Sequence, residues 1–297
     1  MGTARGDDEG YFPRGRSLLR QVHEERAVGL MYGQRALCIG ALKPLNYVGT
    51  TEHTRAKARP FGRLAHTAEM FERIFFGTRA QADKTLAAVH AMHERVNGEL
   101  LQDAGPHYPG GTPYSAFDPE LMLWTVAVIV DSAVWFYEHL VRPLRSDELE
   151  SLWRDYVLFA ELFRTPREVM PPTYPAFRAW YQEQLAGSDL FLTEEARYMG
   201  HATAFEIPMA GHQALFAKPV HDLVILCSLP PRVRELYDLR CTPIHTAMCA
   251  AVLTAARASR PLVPGSRKRG SCIAEFEGVT AIERRRIERG EPTPQIV

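Results

Sequence analysis

Apolar residues recur at helical spacing along most of this chain, whereas the alternating runs that predict strands are scarce. The clearest local signal is Asp118-Pro119-Glu120, where an aspartate cap, a proline at the first helical position and an acidic first turn precede an apolar stretch through Leu140. Further helices are predicted over residues 16–41, interrupted near Gly29 and Gly33 and stopped by Pro44, and over 61–76, 81–96, 146–163, 174–185, 220–229, 232–239 and 243–258. The pattern therefore predicts an all-α fold.

The distribution of polar residues divides the chain into three parts. Residues 1–15 are rich in glycine and charge and are expected to form a flexible N-terminus. Residues 16–258 carry the periodicity of a single multi-helix globular domain. Charge and proline content rise from Ser259 onward, so residues 259–297 are expected to form a charged C-terminal arm or tail whose basic clusters are solvated faces.

The composition adds expectations about class and location. The 297 residues include 35 Lys plus Arg against 35 Asp plus Glu, and 46% are hydrophobic, which is typical of a globular protein. Zero net charge argues against a nucleic-acid partner. The longest apolar run, residues 121–130, is too short to span a bilayer, so no membrane span is expected. Five cysteines without a C-x-x-C pair, and no apolar leader, favour a reducing, cytoplasmic location.

Common catalytic templates are missing from the sequence. It contains no G-x-S-x-G, G-x-G-x-x-G, G-x-x-x-x-G-K, S-x-x-K or H-E-x-x-H motif. A di-iron carboxylate site in a helical bundle needs Glu-x-x-His, and none of the 11 histidines has a glutamate three residues before it. These classes of enzyme are therefore not expected.

A pair of histidines marks one predicted helix as a candidate for cofactor binding. His90 and His93 lie at i and i+3 and so share roughly one face, with Val89 as an apolar neighbour. A neutral imidazole in apolar surroundings is a suitable axial ligand for haem iron. The spacing therefore permits a haem site on this helix.

The preceding predicted helix carries a second polar set. Residues at i, i+3 and i+4 of a helix share one face, so this helix is predicted to present the guanidinium of Arg63, the imidazole of His66 and the hydroxyl of Thr67 on the same side. That combination suits the polar side of an oxygen-binding pocket. An ordinary alternative fits the same spacing: His93 is a hydrogen-bonded core histidine and Arg63 a surface or ion-paired residue. Spacing alone favours that alternative, and aromatic residues such as Trp124 are more often core than cofactor contacts.

A series of short motifs occurs in a fixed order around these residues. The motifs are RLxxT (63–67), FFG (75–77), VxxxHxxVxG (89–98), PYSAFDPELMLW (113–124), DS (131–132), YE (137–138) and LPPRVRELY (229–237). Together they resemble the oxygenase family that contains the latex-clearing rubber oxygenases and the fungal oxygenase of mycophenolic acid biosynthesis. The resemblance covers roughly residues 17–239, and the ordered set is much more specific than any single motif.

The resemblance implies an all-α domain that encloses a haem pocket and holds noncovalent haem b. His93 matches the family's proximal histidine, and Arg63 and Thr67 match the arginine and threonine of the helix over the distal face. His66 stands where rubber oxygenases can carry a lysine bound to iron, so it is a candidate second iron ligand. The predicted cofactor contacts are His93, Arg63, His66, Val89 and Trp124, and the predicted catalytic group is Arg63, His66 and Thr67.

Two features depart from the family pattern. Lys43-Pro44 stands where many short members carry His-Pro. The acidic residue proposed as catalytic base in the rubber oxygenases has no clear counterpart, and Glu52 and Glu69 are candidates by position only. Imidazole binds iron at neutral pH, whereas lysine must first lose a proton, so His66 could either ligate iron or stand back as a hydrogen-bond donor.

The sequence therefore predicts a haem b-dependent oxygenase, a dioxygenase that uses dioxygen on a small hydrophobic substrate of isoprenoid-like, olefinic or aromatic type. Oxidative cleavage of a C=C bond is the reaction that the resemblance implies. Two alternatives stay open. One is a bis-histidine haem sensor or carrier, in which His66 and His93 both ligate iron without oxygenation. The other is a cofactor-free helical protein that binds an apolar ligand or partner helix.

Overall fold

The described part of the protein is built almost entirely from helices, which confirms the predicted all-α fold. The structure is a computed structural model, and it describes residues 9–52, 59–211 and 213–295, so most of the predicted flexible N-terminus lies outside it. The helices are α1 Leu18–Glu24, α2 Arg26–Gly29, α3 Tyr32–Gly40, α4 Pro44–Glu52, α5 Pro60–Phe76, α6 Arg79–His93, α7 Pro119–Leu140, α8 Ser146–Leu162, α9 Tyr174–Ala186, α10 Glu194–Phe205, α11 Lys218–Ser228, α12 Pro231–Leu236, α13 Pro243–Ser259, α14 Gly265–Lys268 and α15 Ile273–Glu288. Strands β1 Asn97–Glu99 and β2 Pro113–Ser115 pair antiparallel.

The apolar helix α7 runs through the core. The side chain of its N-cap, Asp118, accepts hydrogen bonds from the backbone N–H groups of Glu120 (2.9 Å) and Leu121 (3.0 Å), which confirms the predicted helix start. Helices α1, α2, α3, α8 and α13 all pack against α7. By length and composition α7 could cross a membrane, but 78% of its most apolar stretch is buried inside the protein, as in the core helix of a globular domain.

The N-terminal helical region is divided into three short helices. The predicted interruption at Gly29 is present, whereas Gly33 lies inside α3, and a further break falls at Glu25, whose backbone is extended (φ −71°, ψ 109°). The buried Glu25 carboxylate accepts hydrogen bonds from Arg260 (2.6 Å) and Arg269 (2.8 Å) of the C-terminal arm. These contacts join the N-terminal helices to the C-terminal arm.

Several elements were not predicted, among them α4, the β1–β2 hairpin and α10. Pro44 is the first residue of α4 as well as the end of the preceding helical region, because proline fits the first helical turn, where its missing N–H is not needed. The β1–β2 hairpin replaces part of a predicted loop.

Helix α10 packs through small residues. The Cys38 thiol donates to the Gly200 carbonyl (3.2 Å), and a Cβ at Gly200 would overlap the Tyr237 hydroxyl. Small residues at such a contact contribute little to the hydrophobic pattern, so helical periodicity did not indicate α10.

The C-terminal arm, described over residues 259–295, lies against the helical domain. Helix α15 packs along α5. The backbone N–H of Cys272, just before α15, donates to the carboxylate of Glu72 on α5 (2.7 Å). The arm is therefore part of the support of α5.

A charged cluster crosses the core between α3, α7 and α9. The Arg35 guanidinium is 2.7 Å from the Asp131 carboxylate, and Arg178 pairs with the other oxygen of that carboxylate. Arg35 also donates to the Ser132 hydroxyl (2.8 Å) and to the Ser228 carbonyl (2.9 Å). Arg35 is only 2% exposed and Asp131 only 7%, so each charge depends on its partners for compensation.

Another buried polar group makes the stability of the fold depend on pH. His23 is 4% exposed, and its Nε2 lies 2.7 Å from the Tyr156 hydroxyl. Burial lowers the pKa of His23 to about 3. An unfolded histidine titrates near 6.5, so below that pH the unfolded chain binds a proton that the folded chain does not. The contribution of His23 to stability is therefore present above pH 6.5 and is lost as the pH falls from about 6.5 to about 3.

We expect the free energy of unfolding to fall by about 2 kcal/mol between pH 7 and pH 5 because of His23 alone. Urea unfolding of the wild type and of His23→Gln at both pH values measures this. Glutamine can still bond to the Tyr156 hydroxyl but does not titrate, so the variant should lose correspondingly less stability on acidification. An equal pH dependence in the two proteins would contradict the assignment.

Candidate functional site

His93 is the last residue of α6 and lies among aromatic rings. The helix begins with a capping box, in which the Thr78 hydroxyl accepts from the Gln81 backbone N–H (3.3 Å) and the Gln81 side chain accepts from the Thr78 backbone N–H (2.9 Å). At the other end, the ring centroid of His93 is 5.7 Å from that of Phe117 and 6.4 Å from that of Phe163. Because these phenyl rings precede α7 and follow α8, three elements position the imidazole.

The His93 imidazole is neutral and has an unsatisfied nitrogen. Burial lowers the pKa of His93, and the neighbouring His90 lowers it further. Within the described ranges, Nδ1 of His93 is buried and has no hydrogen-bond partner. Leaving such an atom unpaired costs about 1–3 kcal/mol, and buried polar atoms are commonly satisfied by protein, water or a ligand. A neutral imidazole with an unpartnered nitrogen, in apolar surroundings, fits the requirements of an axial ligand for haem b.

His90, one turn earlier, already has a partner. Its Nε2 lies 2.9 Å from the backbone carbonyl oxygen of Leu162 at the end of α8. This hydrogen bond occupies one ring nitrogen and directs the side chain toward protein. Of the two predicted histidines, His93 is the one with a buried ring nitrogen that has no partner among the described residues.

Arg63, Thr67 and Phe71 form one stripe along α5, because they follow each other at i, i+4 and i+8. The ring centroid of Phe71 is 6.3 Å from that of Phe163, the same phenyl ring that contacts His93. The Thr67 hydroxyl donates to the Arg63 carbonyl (3.2 Å), which fixes its rotamer. The Phe71 end of this stripe and the end of α6 therefore meet at Phe163, and we call the stripe together with His93 the candidate site.

Tyr47 lies beside Arg63, and sequence reasoning missed it. Burial lowers the pKa of Arg63, and the adjacent Tyr47 opposes that effect. The Tyr47 hydroxyl donates to the backbone carbonyl of Glu195 at the start of α10 (3.0 Å), and burial raises the pKa of Tyr47, so the phenol stays protonated. No local signal could have found this residue, since its place beside Arg63 depends on the packing of α4 against distant elements.

His66 lies on the exposed side of α5. Its side chain is 69% exposed, with Nδ1 3.7 Å from the Glu69 carboxylate, which also pairs with Arg73 at 2.5 Å. On an ideal helix His66 points about 100° away from the centre of the Arg63–Phe71 stripe. Its role as a second iron ligand stays a prediction. Of the two candidate bases, Glu69 belongs to this surface group, and the side chain of Glu52 lies outside what the structure describes.

The other predicted cofactor contacts, Val89 and Trp124, are core residues with 4% and 1% exposure. The Trp124 indole N–H donates to the Gly40 carbonyl (3.2 Å), and the Lys43 ammonium is 5.7 Å from the indole centroid. Lys43 also pairs with Asp189, which follows α9. These contacts place Trp124 at the junction of α3, α7 and the end of α9, and its contact with a cofactor stays a prediction.

Glu283 of α15 caps the N-terminus of α5, the helix that carries Arg63 and Thr67. Its two carboxylate oxygens accept hydrogen bonds from the backbone N–H groups of Phe61 (3.0 Å) and Gly62 (2.8 Å). The residue before α5, Arg59, makes no side-chain capping bond, and Glu283 is fully buried. A carboxylate at this place satisfies two otherwise unpaired donors and interacts favourably with the positive end of the helix dipole.

Replacing Glu283 by alanine should lower the free energy of unfolding by about 2 kcal/mol, because two buried backbone donors lose a charged acceptor. Denaturant unfolding measures the loss, and amide hydrogen exchange should show faster exchange at Phe61 and Gly62. Glu288→Ala is the matched control, since Glu288 is exposed on the same helix. If the two variants lose equal stability, the cap does not stabilise α5.

Together these features define an all-α protein in which Nδ1 of His93 has no partner among the described residues and the adjacent helix carries arginine and threonine. The sequence profile described as ER-bound oxygenase mpaB/B'/Rubber oxygenase, catalytic domain, matches residues 20–258. The chain belongs to this family, which confirms the resemblance seen in the ordered motifs. Membership of a family of oxygenase catalytic domains supports an oxygenase function.

Two curated proteins and one solved structure are also similar to this chain. Uncharacterized proteins of Mycobacterium tuberculosis and Mycobacterium bovis are each 23% identical over 205 residues, which cover 69% of this chain and 76% of theirs. Among solved structures, latex clearing protein in its closed state matches with a TM-score of 0.59 and 16% identity, covering 92% of this chain and 75% of that chain. At this level of identity the structural match shows a shared fold.

Proposed function

We propose that this protein is a haem b-dependent oxygenase in which His93 is the iron ligand. The observation that carries the proposal is the buried, unpartnered Nδ1 of a neutral imidazole within the described part of the chain. Its place beside α5 adds support, because the family resemblance assigns Arg63 and Thr67 to the opposite face of the cofactor. Haem b, when bound, supplies a redox-active iron that reacts with dioxygen.

Each residue of the candidate site has a physical role in this proposal. His93 holds the cofactor, and its neutral form leaves a nitrogen lone pair for the metal. Arg63 would supply a hydrogen-bond donor, and donors in a water-poor site stabilise negative charge that develops on oxygen. The rings of Phe71, Phe117 and Phe163 exclude water around them and favour an apolar substrate.

The substrate class we propose is a small olefinic molecule of isoprenoid-like or aromatic type, with oxidative cleavage of a C=C bond. The family description includes rubber oxygenase, an enzyme named for an olefinic polymer, and this supports an olefinic substrate. A cytoplasmic location stays a prediction. The exposed side chain of His66, close to Glu69, gives no support to a bis-histidine sensor or carrier.

Absorption spectra of the purified protein supplied with haem test the proposal. We expect a Soret band that shifts when the protein is reduced with dithionite and exposed to carbon monoxide. Incubation with olefinic isoprenoids under ¹⁸O₂ should give two carbonyl products that each carry one labelled oxygen. A colourless protein would overturn the haem assignment and favour a cofactor-free binding protein. A ferric spectrum that is already low-spin and does not change when cyanide is added, without products, would overturn the oxygenase assignment and favour a bis-histidine protein.

A further inference from the structure

Three of the five cysteines meet at the packing of α11 against α13, and none of them belongs to the candidate site. Cys227 is the penultimate residue of α11, Cys241 lies in the connection between α12 and α13, and Cys249 lies within α13. The Sγ atoms of Cys227 and Cys241 are 3.7 Å apart, which is van der Waals contact. Cys249 is buried and close enough to Cys227 for their thiols to interact.

The local contacts hold the sulfur atoms in this arrangement. The Cys227 thiol points to the backbone carbonyl of His245 (3.5 Å), in the first turn of α13. The Cys241 sulfur lies 3.8 Å from the Thr246 hydroxyl in the same turn. Because α13 begins with a capping box between Thr242 and His245, the backbone next to Cys241 is fixed. Only a small movement is needed to bring the two sulfur atoms to bonding distance.

We propose that Cys227 and Cys241 are a site of reversible oxidation, at which a peroxide converts the two thiols into a disulfide. In the first step the Cys241 sulfur attacks one oxygen of hydrogen peroxide, the O–O bond breaks, and the products are a sulfenic acid and water. In the second step the Cys227 sulfur attacks the Cys241 sulfur, the S–O bond breaks, and the hydroxyl leaves as a second water with the Cys227 proton. Two thiols lose two electrons, and one peroxide becomes two waters.

Cys227 and Cys241 are both partly exposed, so a peroxide can reach this pair, whereas Cys249 is buried. The order of the two steps follows from the protonation of Cys227. Burial raises the pKa of Cys227 to about 12, which keeps this thiol protonated and makes it the second partner. A small dithiol would restore both thiols by exchange.

The remaining cysteines provide an internal comparison. Cys38 is fully buried and donates to the Gly200 carbonyl, and Cys272 is buried with its thiol 3.9 Å from the Arg26 carbonyl. Among the described residues, neither has another cysteine as a hydrogen-bonding neighbour. Both are expected to stay reduced under conditions that oxidise Cys241.

A disulfide here would close a loop that contains α12 and would join the end of α11 to the start of α13. Such a cross-link restricts the unfolded chain, so the oxidised protein should melt about 5 °C higher than the reduced protein. Because α13 also packs against α7, the cross-link would stiffen one side of the core.

Mass spectrometry after treatment with one equivalent of hydrogen peroxide, with free thiols blocked by N-ethylmaleimide before digestion, tests the proposal. We expect the intact mass to fall by two hydrogens and tryptic peptides 198–232 and 241–257 to be linked. Dithiothreitol should separate them.

Cysteine variants show which two residues form the disulfide. Cys241→Ser should abolish the linkage and the rise in melting temperature, while Cys249→Ala should keep both, which identifies Cys241 as the partner within peptide 241–257. Circular dichroism confirms that each variant is folded. Linked peptides in Cys241→Ser, or sulfinic acid without any linked peptide in the wild type, would overturn the proposal. None of these readouts requires haem, so the result is independent of the proposed function.

Discussion

Replacing His93 by alanine should weaken haem binding by more than about 100-fold and remove the Soret band. Changes in residues that only support a metal ligand already cost about 10–100-fold in metal affinity, and this substitution removes the ligand itself. Its pKa is lowered by burial, so at neutral pH the imidazole needs no deprotonation before it binds. Titration of the protein with haem, followed at the Soret maximum, measures the loss.

His90→Ala is the matched control for this variant. His90 is on the same helix, one turn away, but its Nε2 faces the Leu162 carbonyl at 2.9 Å. The control should keep the band. A second variant, His93→Gly, should regain a Soret band when imidazole is added, because the free ligand can enter the space that the side chain leaves. If His93→Ala binds haem as tightly as the wild type, the ligand is another residue, and the proposed site is wrong.

The helices that could be predicted are those whose signals are local. The Asp118 cap followed by Pro119 specified the start of α7, and the interaction is present as expected. Helices α5 and α6 have strong apolar or capping signals, so they fall close to their predicted bounds. The ordered motifs then gave the fold, because a family pattern carries information about tertiary structure that periodicity does not.

Only those parts of the candidate site that depend on the spacing of residues within one helix could be predicted. Arg63 and Thr67 lie at i and i+4 and do share a stripe, but His66 at i+3 lies on the exposed side, next to Glu69. The family match ends at residue 258, so Glu283 has no counterpart in the motifs, and its cap on α5 joins residues 221 or more positions apart. Tyr47 depends in the same way on contacts that no local pattern encodes.

Asp131→Asn should lower the free energy of unfolding by about 3–5 kcal/mol, the usual cost of leaving a buried charge without its partner. Burial on its own would raise the pKa of Asp131, but Arg35 and Arg178 more than offset this and hold it below its ordinary value. The carboxylate is therefore charged at neutral pH. Asparagine keeps the shape and removes the charge, which leaves the Arg35 guanidinium buried and uncompensated. Urea unfolding at pH 7 measures the effect.

The matched control is Asp147→Asn, since Asp147 also pairs with an arginine, Arg145, at 3.0 Å, but both side chains are about 70% exposed. Exposed pairs are screened by water and salt, so this variant should unfold like the wild type. Equal stability of Asp131→Asn and Asp147→Asn would mean that water or a shifted side chain compensates Arg35. A large loss confined to Asp131→Asn would establish that the DS motif at residues 131–132 is a structural element, in which Asp131 neutralises Arg35 and the Ser132 hydroxyl accepts a hydrogen bond from it.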